Sequence, residues 1–582
     1  MLSRLSITIL IPFLVFASLL LGALFGYRMG FFAPMKPEGT GWFYDEVFFQ
    51  IDENFVDDID LNQYKTTGAK GIVESIPHGE YYSIEEAEKE SQSFEGRYEG
   101  IGIQFSILKD TIFVVNTLRG GPSERLGIQS ADRITAVEGK NVAGIGITQD
   151  SVVSLLMGPR NTEVNVSIMR RDSVFSLSIQ RGSIATPTVS LSYMVDASVG
   201  YIEVDMFGAY THEEFSRAIE SLQKQGMTKL IVDLRNNGGG YLDQAIKMLD
   251  ECIEDNRLLL YTEGRKRKRK DYFSTRPGVF EDGELVVLTN SMSASASEIF
   301  AGAIQDWDRG LVIGQRTFGK GLVQEEFTLS NGDVMRLPVS KYYMPSGRCV
   351  QKPYEGKDAY EYGLEIVDRF ESDEIVDSSA ITLDDSTEYF TLIEGRTVYG
   401  GGGVIPDVFI PMDTGRVPFT RTFLRDASYS YFSANREAII EQWSNRSDAF
   451  FADSTWALLT VLDAATMKNL SKEDRDWVNA SLQNLYAGMI WMGNINRIAL
   501  HKVDKHFQEA KRVLKQYQYA LYKTKDKEEY QSIDASIYEQ ESEAYAKEYS
   551  LQPFWIRIGL LGAATLLLGG LAFSRGSNQA ST

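Results

Sequence analysis

Apolar positions along this chain follow two different periods. Between about residues 96 and 182, short runs of alternating apolar and polar residues predict β-strands, with a helix-like stretch at 150–157. From residue 199, apolar runs of strand length alternate with amphipathic stretches of helix length, which predicts an α/β unit with a mostly parallel sheet. Strands are predicted at 100–105, 111–115, 133–137, 163–169, 174–179, 201–204, 229–234, 258–262, 284–289 and 311–313, and helices at 212–223, 241–252 and 297–307.

The flanking regions have a different character. Residues 40–95 are acidic and helical in pattern, and Pro77-His78-Gly79 interrupts them. Residues 415–550 show long helical periodicities, which we interpret as an added helical region. For that region a membrane-proximal stalk, an adaptor site and a homo-oligomer contact remain open as roles. Its helices are predicted at 456–467, 474–495 and 506–522.

Two apolar stretches are long enough to cross a bilayer as helices. Residues 5–26 are interpreted as an uncleaved anchor, with a cleaved signal peptide as the alternative. Residues 553–573 are interpreted as a second membrane helix, with a buried or amphipathic terminal helix as the alternative. Arg557 lies close enough to the end of this stretch to reach the interface. Two spans would place the large middle part on one side, which we expect to be extracytoplasmic, or periplasmic in a bacterium.

Length and charge narrow the class of protein. A single core seldom grows beyond about 250 to 300 residues, so 582 residues indicate several folded units. With 59 basic and 80 acidic residues the net charge is -21, which argues against nucleic acid as a partner. The basic run at 265–270 follows a predicted strand without a stacking motif beside it. We interpret it as a solvated hairpin or a contact for protein substrates.

Cysteine and histidine usage gives no indication of a metal site. Cys252 and Cys349 are far apart and lack ligand spacing, so we interpret both as packed residues and leave open whether they pair. No cluster of His, Cys, Asp and Glu indicates metal binding, and we expect no metal and no cofactor.

The candidate chemistry lies in two short motifs. Ser-Ala-Ser-Ala-Ser-Glu occupies 293–298, and Gly-Lys-Gly-Leu-Val-Gln occupies 319–324. A turn of small residues with a central serine, followed by a lysine between glycines, is suited to serine attack with an amine as proton acceptor. No histidine lies between the two motifs. A Ser-His hydrolase of small esters would have to recruit its histidine from elsewhere, and it remains the weaker alternative.

The chain has four histidines, and none carries a clear catalytic signal. His78 lies in a turn-like sequence and His212 opens a predicted helix. His501 and His506 lie in a polar helical stretch, where a surface position is the usual explanation.

A glycine-rich loop follows the predicted strand at 229–234. Its sequence, Arg-Asn-Asn-Gly-Gly-Gly at 235–240, lacks the Gly-Lys-Ser/Thr ending of a phosphate loop and the spacing of a dinucleotide fingerprint. Beside a serine nucleophile, its N–H groups would stabilise a developing oxyanion.

The strands and helices between 96 and 182 resemble a PDZ domain. Gly100, Ile101, Gly102 and Ile103 stand where such domains carry the loop that receives a peptide's terminal carboxylate. Glycines allow adjacent N–H groups to converge on one anion, and an extended peptide can add as a strand beside them.

Taken in order, these motifs resemble the carboxy-terminal processing peptidases, or tail-specific proteases, over about residues 40–412. The resemblance implies a crotonase/Clp-like α/β protease core at 183–412 with an inserted PDZ domain at 96–182 and an N-terminal helical part at 40–95. The motifs that carry it lie at 100–105, 233–240, 293–306, 317–324, 345–348 and 399–407.

The same resemblance implies roles for individual residues. The nucleophile falls on Ser295, the general base on Lys320, and Gln324 matches the residue that orients the lysine. Asp306 matches an acidic position that we interpret as structural. The oxyanion donors would be the N–H groups of Ala296 and of Gly238 or Gly239. Gly238 departs from the family, which usually has proline there.

A serine peptidase acting through an amine requires an unusual lysine. For Lys320 to accept a proton near pH 7, its pKa must fall by about 3 units, a bias of roughly 4 kcal/mol that needs burial. The family implies protein substrates recognised through an apolar C-terminal tail, which the PDZ domain binds or uses to gate the site. A catalytically inactive membrane-anchored PDZ scaffold is the alternative.

Overall fold

A computed structural model describes residues 47, 61–354, 359–382, 388–412 and 419–515. The apolar stretches at 5–26 and 553–573 lie outside these residues. Within the described part, no helix combines the length and the apolar character that a membrane crossing needs. The chain divides into two compact units, Met1–Ser75 and Ile76–Thr582. In the first unit the helix Leu61–Glu74 is described, with Lys70 and Glu74 paired along one face.

The second unit contains three larger sheets and several helical layers. Its strands are β1 Glu80–Tyr82, β2 Arg97–Gly100, β3 Ile103–Ile107, β4 Ile112–Thr117, β5 Arg133–Val137, β6 Lys140–Asn141, β7 Glu163–Arg170, β8 Ser173–Gln180, β9 Gly182–Ala185, β10 Val189–Met194, β11 Val199–Val204, β12 Lys229–Asp233, β13 Leu258–Gly264, β14 Arg267–Phe273, β15 Glu284–Thr289, β16 Leu311–Gly314, β17 Leu322–Thr328, β18 Val334–Tyr343, β19 Glu388–Phe390, β20 Thr397–Tyr399 and β21 Val408–Phe409.

Helices alternate with these strands and dominate the last hundred described residues. The α-helices are Ile84–Phe94, Pro122–Arg125, Gln149–Leu156, Thr211–Lys224, Leu242–Asp250, Ala296–Asp306, Ala359–Glu371, Arg421–Trp443, Ser447–Ala452, Trp456–Leu459, Ala464–Asn469, Lys472–Ile490 and Lys505–Leu514, and the 3-10 helices are Ser378–Ala380 and Ile495–Lys502.

The first sheet has the order β3-β4-β5-β7-β8, with β6 on β5, and all its pairings are antiparallel. Alternate residues of these strands are buried together with Val152 and Leu156 of the helix Gln149–Leu156. The predicted strand at 100–105 is interrupted, because Gly102 takes a left-handed φ of 77°. Gly100 ends β2, and β3 begins only at Ile103.

The second sheet has the order β10-β11-β12-β15-β16-β21 and is parallel apart from β10. Leu230, Ile231 and Val232 are all fully buried, as expected for a parallel strand covered on both faces. Loops at the carboxyl ends of β12 and β15 carry the glycine run and the serine motif, as the α/β pattern predicted.

The third sheet has the order β1-β18-β13-β14, with β17 paired to β18. Lys320 lies just before β17, so this sheet brings the lysine motif to the second sheet. The basic run at 265–270 lies in the hairpin of β13 and β14, and its side chains are exposed. The predicted hairpin and its exposure are confirmed, and a contact of this run with protein substrates stays a prediction.

Residues 419–515, which we call the appended helical region, follow the sheets. The predicted helix at 456–467 is wrong, because the chain turns between Trp456–Leu459 and Ala464–Asn469. Asp463 starts the second of these helices by accepting the N–H of Thr466 at 2.7 Å, an N-cap that ends the earlier periodicity. The predicted helix at 506–522 is described only as far as Leu514.

Candidate active site

Ser295 stands at a sharp turn between β15 and the helix Ala296–Asp306, directly before the first helical residue. Its backbone has a φ of 57° and a ψ of -114°, which is unusual for a residue with a side chain. Such conformations persist where the surrounding structure fixes them, and they cluster at functional sites. The N–H of Ala296, the first residue of the helix, donates to no acceptor among the described residues, and the positive end of the helix favours negative charge beside this serine.

The glycine-rich loop packs directly against this turn. The carbonyl oxygen of Asn237 accepts the N–H of Ala294 at 3.0 Å and the hydroxyl of Ser297 at 2.9 Å. A Cβ atom on Gly239 would lie 2.7 Å from the Cβ of Ser295. Only glycine allows this approach. The fully buried Asn237 holds the loop against the serine turn, and no sequence pattern singled it out.

The structure separates the predicted oxyanion donors. The N–H of Gly239 donates to Oδ1 of Asn237 at 2.9 Å, so it is already engaged. Those of Gly238 and Ala296 have no acceptor among the described residues. The resemblance implies proline at this position, and proline has no N–H. Gly238 thus supplies a donor that proline would lack.

The glycines on either side of Lys320 allow close packing. A Cβ atom on Gly321 would lie 2.7 Å from the backbone nitrogen of Gln351. The N–H of Gly321 donates to Oε1 of Gln351 at 2.8 Å. Gly319 has a left-handed φ of 90°, and its carbonyl oxygen accepts the hydroxyl of Tyr362 at 3.2 Å.

A buried carboxylate joins the serine turn to the lysine segment. One oxygen of Glu298 accepts the N–H groups of Ser295 and Lys320, each at 2.8 Å. The other accepts the N–H of Gly319 at 2.7 Å and the hydroxyl of Thr317 at 2.6 Å. Burial raises the pKa of the Glu298 carboxyl, whereas the four donors favour its charged form. The serine and glutamate spacing of a capping box was the signal that could have identified it.

Tyr342 connects the same two segments from β18. Its hydroxyl lies 3.1 Å from the carbonyl oxygen of Ser295 and within hydrogen-bonding distance of that of Lys320. The tyrosine is 1% exposed, so solvent does not compete for these contacts. No sequence pattern singled out this residue.

The environment of Lys320 favours its uncharged form. Burial lowers the pKa of the Lys320 amine, and the nearby Arg336 lowers it further, whereas Glu80, Glu298 and Glu90 oppose the shift. Among the described residues the amine has neither a hydrogen-bond acceptor nor an ion-pair partner. The direction is the one that a general base requires.

Gln324 is directed toward the N-terminal part of this unit. Its side-chain amide donates to the carbonyl oxygen of His78 at 2.8 Å, and a role in orienting Lys320 stays a prediction. The ring of His78 meets Tyr362 edge-on, with centroids 4.5 Å apart. Burial and the charges of Lys320 and Lys352 lower the pKa of His78 to about 3. His78 therefore lies near the lysine motif as a neutral imidazole.

The expectation of a surface position is wrong for His501. This residue is 7% exposed and packs between Tyr193, Tyr201 and Phe507. The polar pattern around His501 did not indicate its burial, because the residues that bury it come from the second sheet and from the following helix.

Asp306 pairs with Arg348 at 2.8 Å, and neither side chain is exposed. The N–H of Ser346 donates to the same carboxylate at 2.9 Å. Asp306 thus holds the Pro345-Ser346-Gly347-Arg348 motif against the helix that Ser295 begins. This placement agrees with a structural role.

The PDZ loop presents free N–H groups. Gly100, Ile101, Gly102 and Ile103 are buried, yet the N–H groups of Ile101 and Gly102 donate to no acceptor in the described part of the chain. The strand that follows, β3, pairs within that part only with β4. The loop and the open strand edge provide what an extended peptide with a terminal carboxylate needs.

The described residues offer little for metal or disulfide chemistry. Cys252 and Cys349 are free thiols, and Cys252 is fully buried. In the parts of the chain that the structure describes, no three His, Cys, Asp or Glu side chains are arranged to hold a metal ion.

Several parts of the chain are similar to known proteins. Residues 198–358 match the model of peptidase family S41, and residues 100–180 match that of the PDZ domain. A probable CtpA-like serine protease of Staphylococcus aureus is 30% identical over 311 residues, which are 53% of this chain and 62% of the relative. A protein of the same description from Staphylococcus saprophyticus is 29% identical over 309 residues, 53% of this chain and 62% of the relative.

The chain thus spans less than two thirds of the length of these curated relatives. Among solved structures, a photosystem II D1 C-terminal processing protease is 25% identical over 54% of this chain and 84% of that chain, with a TM-score of 0.32.

Proposed function

We propose that this chain is a serine endopeptidase in which Ser295 and Lys320 form a catalytic dyad, because it belongs to the C-terminal processing peptidases of family S41. The observation that carries the dyad is the shared acceptor on Glu298. One carboxylate oxygen accepts the N–H groups of both residues, each at 2.8 Å. The distance between the two backbone nitrogens therefore cannot exceed the summed length of these two hydrogen bonds.

The proposed reaction is acyl transfer to water. The Ser295 hydroxyl attacks a peptide carbonyl carbon while the Lys320 amine takes its proton. The N–H groups of Ala296 and Gly238 stabilise the tetrahedral oxyanion, since neither donates to an acceptor in the part of the chain that the structure describes. Lys320 then returns the proton to the leaving amine. Water adds to the acyl-enzyme, and hydrolysis regenerates the Ser295 hydroxyl.

We further propose that the PDZ domain selects substrates by their C-termini. The free N–H groups of Ile101 and Gly102 would bind the terminal carboxylate, and β3 would pair with the extended tail. The resemblance to tail-specific proteases supports an apolar terminal residue on this tail. The substrates are therefore proteins with exposed apolar C-termini.

Membrane attachment stays a prediction. The apolar stretches at 5–26 and 553–573 support an anchored protein whose catalytic part is extracytoplasmic.

The test uses the full chain and two model proteins that differ only in an apolar or a charged C-terminal tail. The unaltered enzyme is expected to cleave the apolar-tailed protein faster. Ser295→Ala and Lys320→Ala are each expected to lose activity on the order of 10⁴-fold. Lys341→Ala, which changes an exposed lysine on β18, is the matched control.

Each alternative has its own outcome. Cleavage by Ser295→Ala at the original rate would refute the enzyme assignment, and activity in Lys320→Ala would favour a Ser-His hydrolase. Binding of the apolar tail without cleavage by the unaltered protein would favour the inactive scaffold.

A further inference from the structure

The appended helical region is joined to the PDZ domain through a shared core. Phe113 of β4 stacks on Tyr429, with ring centroids 4.7 Å apart and planes 8° from parallel. The side-chain amide of Asn116 donates to the carbonyl oxygens of Gly488 at 3.0 Å and Trp491 at 2.8 Å. Phe113 and Asn116 are both buried, so the helices exclude solvent from this face of the PDZ domain.

The same region covers one face of the second sheet. Phe507 and Val513 of the helix Lys505–Leu514 pack into one core with Tyr201 and Ile231. The sequence match to family S41 ends at residue 358, before this helix. One layer of the peptidase sheet therefore comes from outside the matched domain.

Where this layer meets the sheet, Asp504 binds the guanidinium of Arg235. Nη1 of Arg235 donates to Oδ1 of Asp504 at 3.0 Å, and Nη2 lies 2.7 Å from Oδ2. The carboxylate of Asp233 accepts hydrogen bonds from Nε and Nη2 of the same guanidinium, at 2.6 to 3.0 Å. Arg235 is 17% exposed and Asp504 is 18% exposed, so the bidentate pair is largely shielded from water.

Arg235 lies three residues before Gly238, at the start of the glycine-rich loop. Its neighbour Asn236 has a left-handed φ of 61°, and the N–H of Asn236 donates to Oδ1 of Asn290 at 2.9 Å. The segment from Arg235 to Gly238 is short and tightly turned. A change in the direction of the Arg235 backbone therefore displaces Gly238. Asp233 is the last residue of β12, two positions before Arg235, whereas Asp504 is the contact that comes from a separate element.

We propose that Asp504 is a positioning residue for the glycine-rich loop, through which the appended helical region fixes the loop beside the oxyanion site. This inference rests on the proposed peptidase function, because the loop matters only where an oxyanion forms. Asp504 touches neither the serine nor the lysine, and it acts through Arg235.

The decisive variant is Asp504→Asn. Asn is as good an N-cap as Asp, so the helix Lys505–Leu514 keeps the acceptor for the N–H groups of His506 and Phe507. What is lost is the negative charge and one of two acceptors for Arg235. Asp463→Asn is the matched control, since Asp463 caps another helix of the appended region with its side chain directed to Thr466.

Three readouts are compared in the full chain. For Asp504→Asn, kcat on the apolar-tailed model protein is expected to fall about tenfold with KM unchanged, because the geometry of the oxyanion site is disturbed and the tail contacts are not. Reaction of Ser295 with a fluorophosphonate probe is expected to slow by a similar factor. Hydrogen exchange in peptides covering 234–241 is expected to be faster. Asp463→Asn is expected to change none of these, and Asp504→Glu to restore part of the rate.

The outcomes separate the two proposals. Unchanged kcat, probe reaction and exchange in Asp504→Asn would overturn the role of Asp504 in an active enzyme. Equal losses in Asp504→Asn and Asp463→Asn would also overturn it, since they would indicate general destabilisation. If the unaltered chain neither cleaves the model protein nor reacts with the probe, the proposed peptidase function has failed, whatever the exchange data show.

Discussion

One carboxylate oxygen of Glu298 accepts the backbone N–H of Lys320 at 2.8 Å, although 22 residues separate them. The same oxygen accepts the N–H of Ser295, so the serine turn and the lysine segment share a single anchor. Both segments are thereby fixed before any substrate arrives. This is a preorganised arrangement, which a site that stabilises transient charge requires.

Glu298→Gln should disconnect the two segments. A neutral amide offers one acceptor oxygen, and its NH2 group would face donors that the carboxylate accepted. Each buried donor left without a partner costs about 1–3 kcal/mol. We expect a lower melting temperature and a loss of activity on the order of 10²-fold. Both are measured on purified protein by thermal denaturation and by cleavage of the tailed model protein.

Glu86→Gln is the control, because Glu86 closes a capping box on the exposed helix Ile84–Phe94. A Glu298→Gln protein as stable and as active as the control would contradict the anchoring role.

The pH dependence of activity should report the amine of Lys320. Only the free amine accepts a proton, so kcat/KM rises as pH increases through the pKa of Lys320. Burial lowers that pKa, and we expect the rise below the ordinary lysine value of about 10.4. The charge of Glu80 raises the pKa, so Glu80→Gln is expected to move the rise to lower pH. Glu325→Gln, on β17 but paired with Arg267, should not move it. A shift of the Glu80→Gln profile to higher pH would refute this electrostatic account.

Neighbouring glycines should respond differently to alanine. Gly239 has a left-handed φ of 102°, and an added Cβ would meet the Cβ of Ser295 at 2.7 Å. Gly238 has open space around the same position. We expect Gly239→Ala to lose activity and melting temperature, whereas Gly238→Ala keeps its backbone N–H and most of its rate. Equal activities of the two variants in a cleavage assay would show that the loop does not pack on Ser295 as described.

The burial of His501 should appear as acid sensitivity of the fold. Burial lowers the pKa of His501 to about 4, against an ordinary value of about 6.5, although Asp504 and Asp233 oppose the shift. Between these values the unfolded chain binds more protons than the folded chain. Stability therefore falls as pH decreases through this window, by about 3 kcal/mol at most. Denaturant melts at pH 7 and pH 4.5 measure the fall.

His501→Phe should flatten this slope, although the Tyr193 hydroxyl loses its partner at every pH. An unchanged slope in this variant would assign the acid sensitivity to other groups.

Local patterns predicted much of the fold. β5 and β15 agree with their predicted bounds, and the helix that follows Ser295 differs by one residue at each end. Periodicity succeeds there because each element buries one face, or a whole strand, in a single core. It failed at 456–467, where Asp463 caps a new helix within an apolar pattern, and at 100–105, where the left-handed Gly102 interrupts the strand.

The sequence alone determined which residue types could do chemistry here. A serine among small residues, a lysine between glycines and a triple glycine after a buried strand are local properties, set by what each residue can donate, accept or allow. Their order along the chain indicated the family.

Only the tertiary structure decided what holds these residues. Glu298 and Tyr342 join two motifs, His501 is buried by residues about 300 positions earlier, and Asp504 meets the loop at Arg235. Such contacts depend on how sheets and helices pack over long separations. Burial and the direction of a hydrogen bond arise only once the layers have met, and no periodicity in the sequence records them.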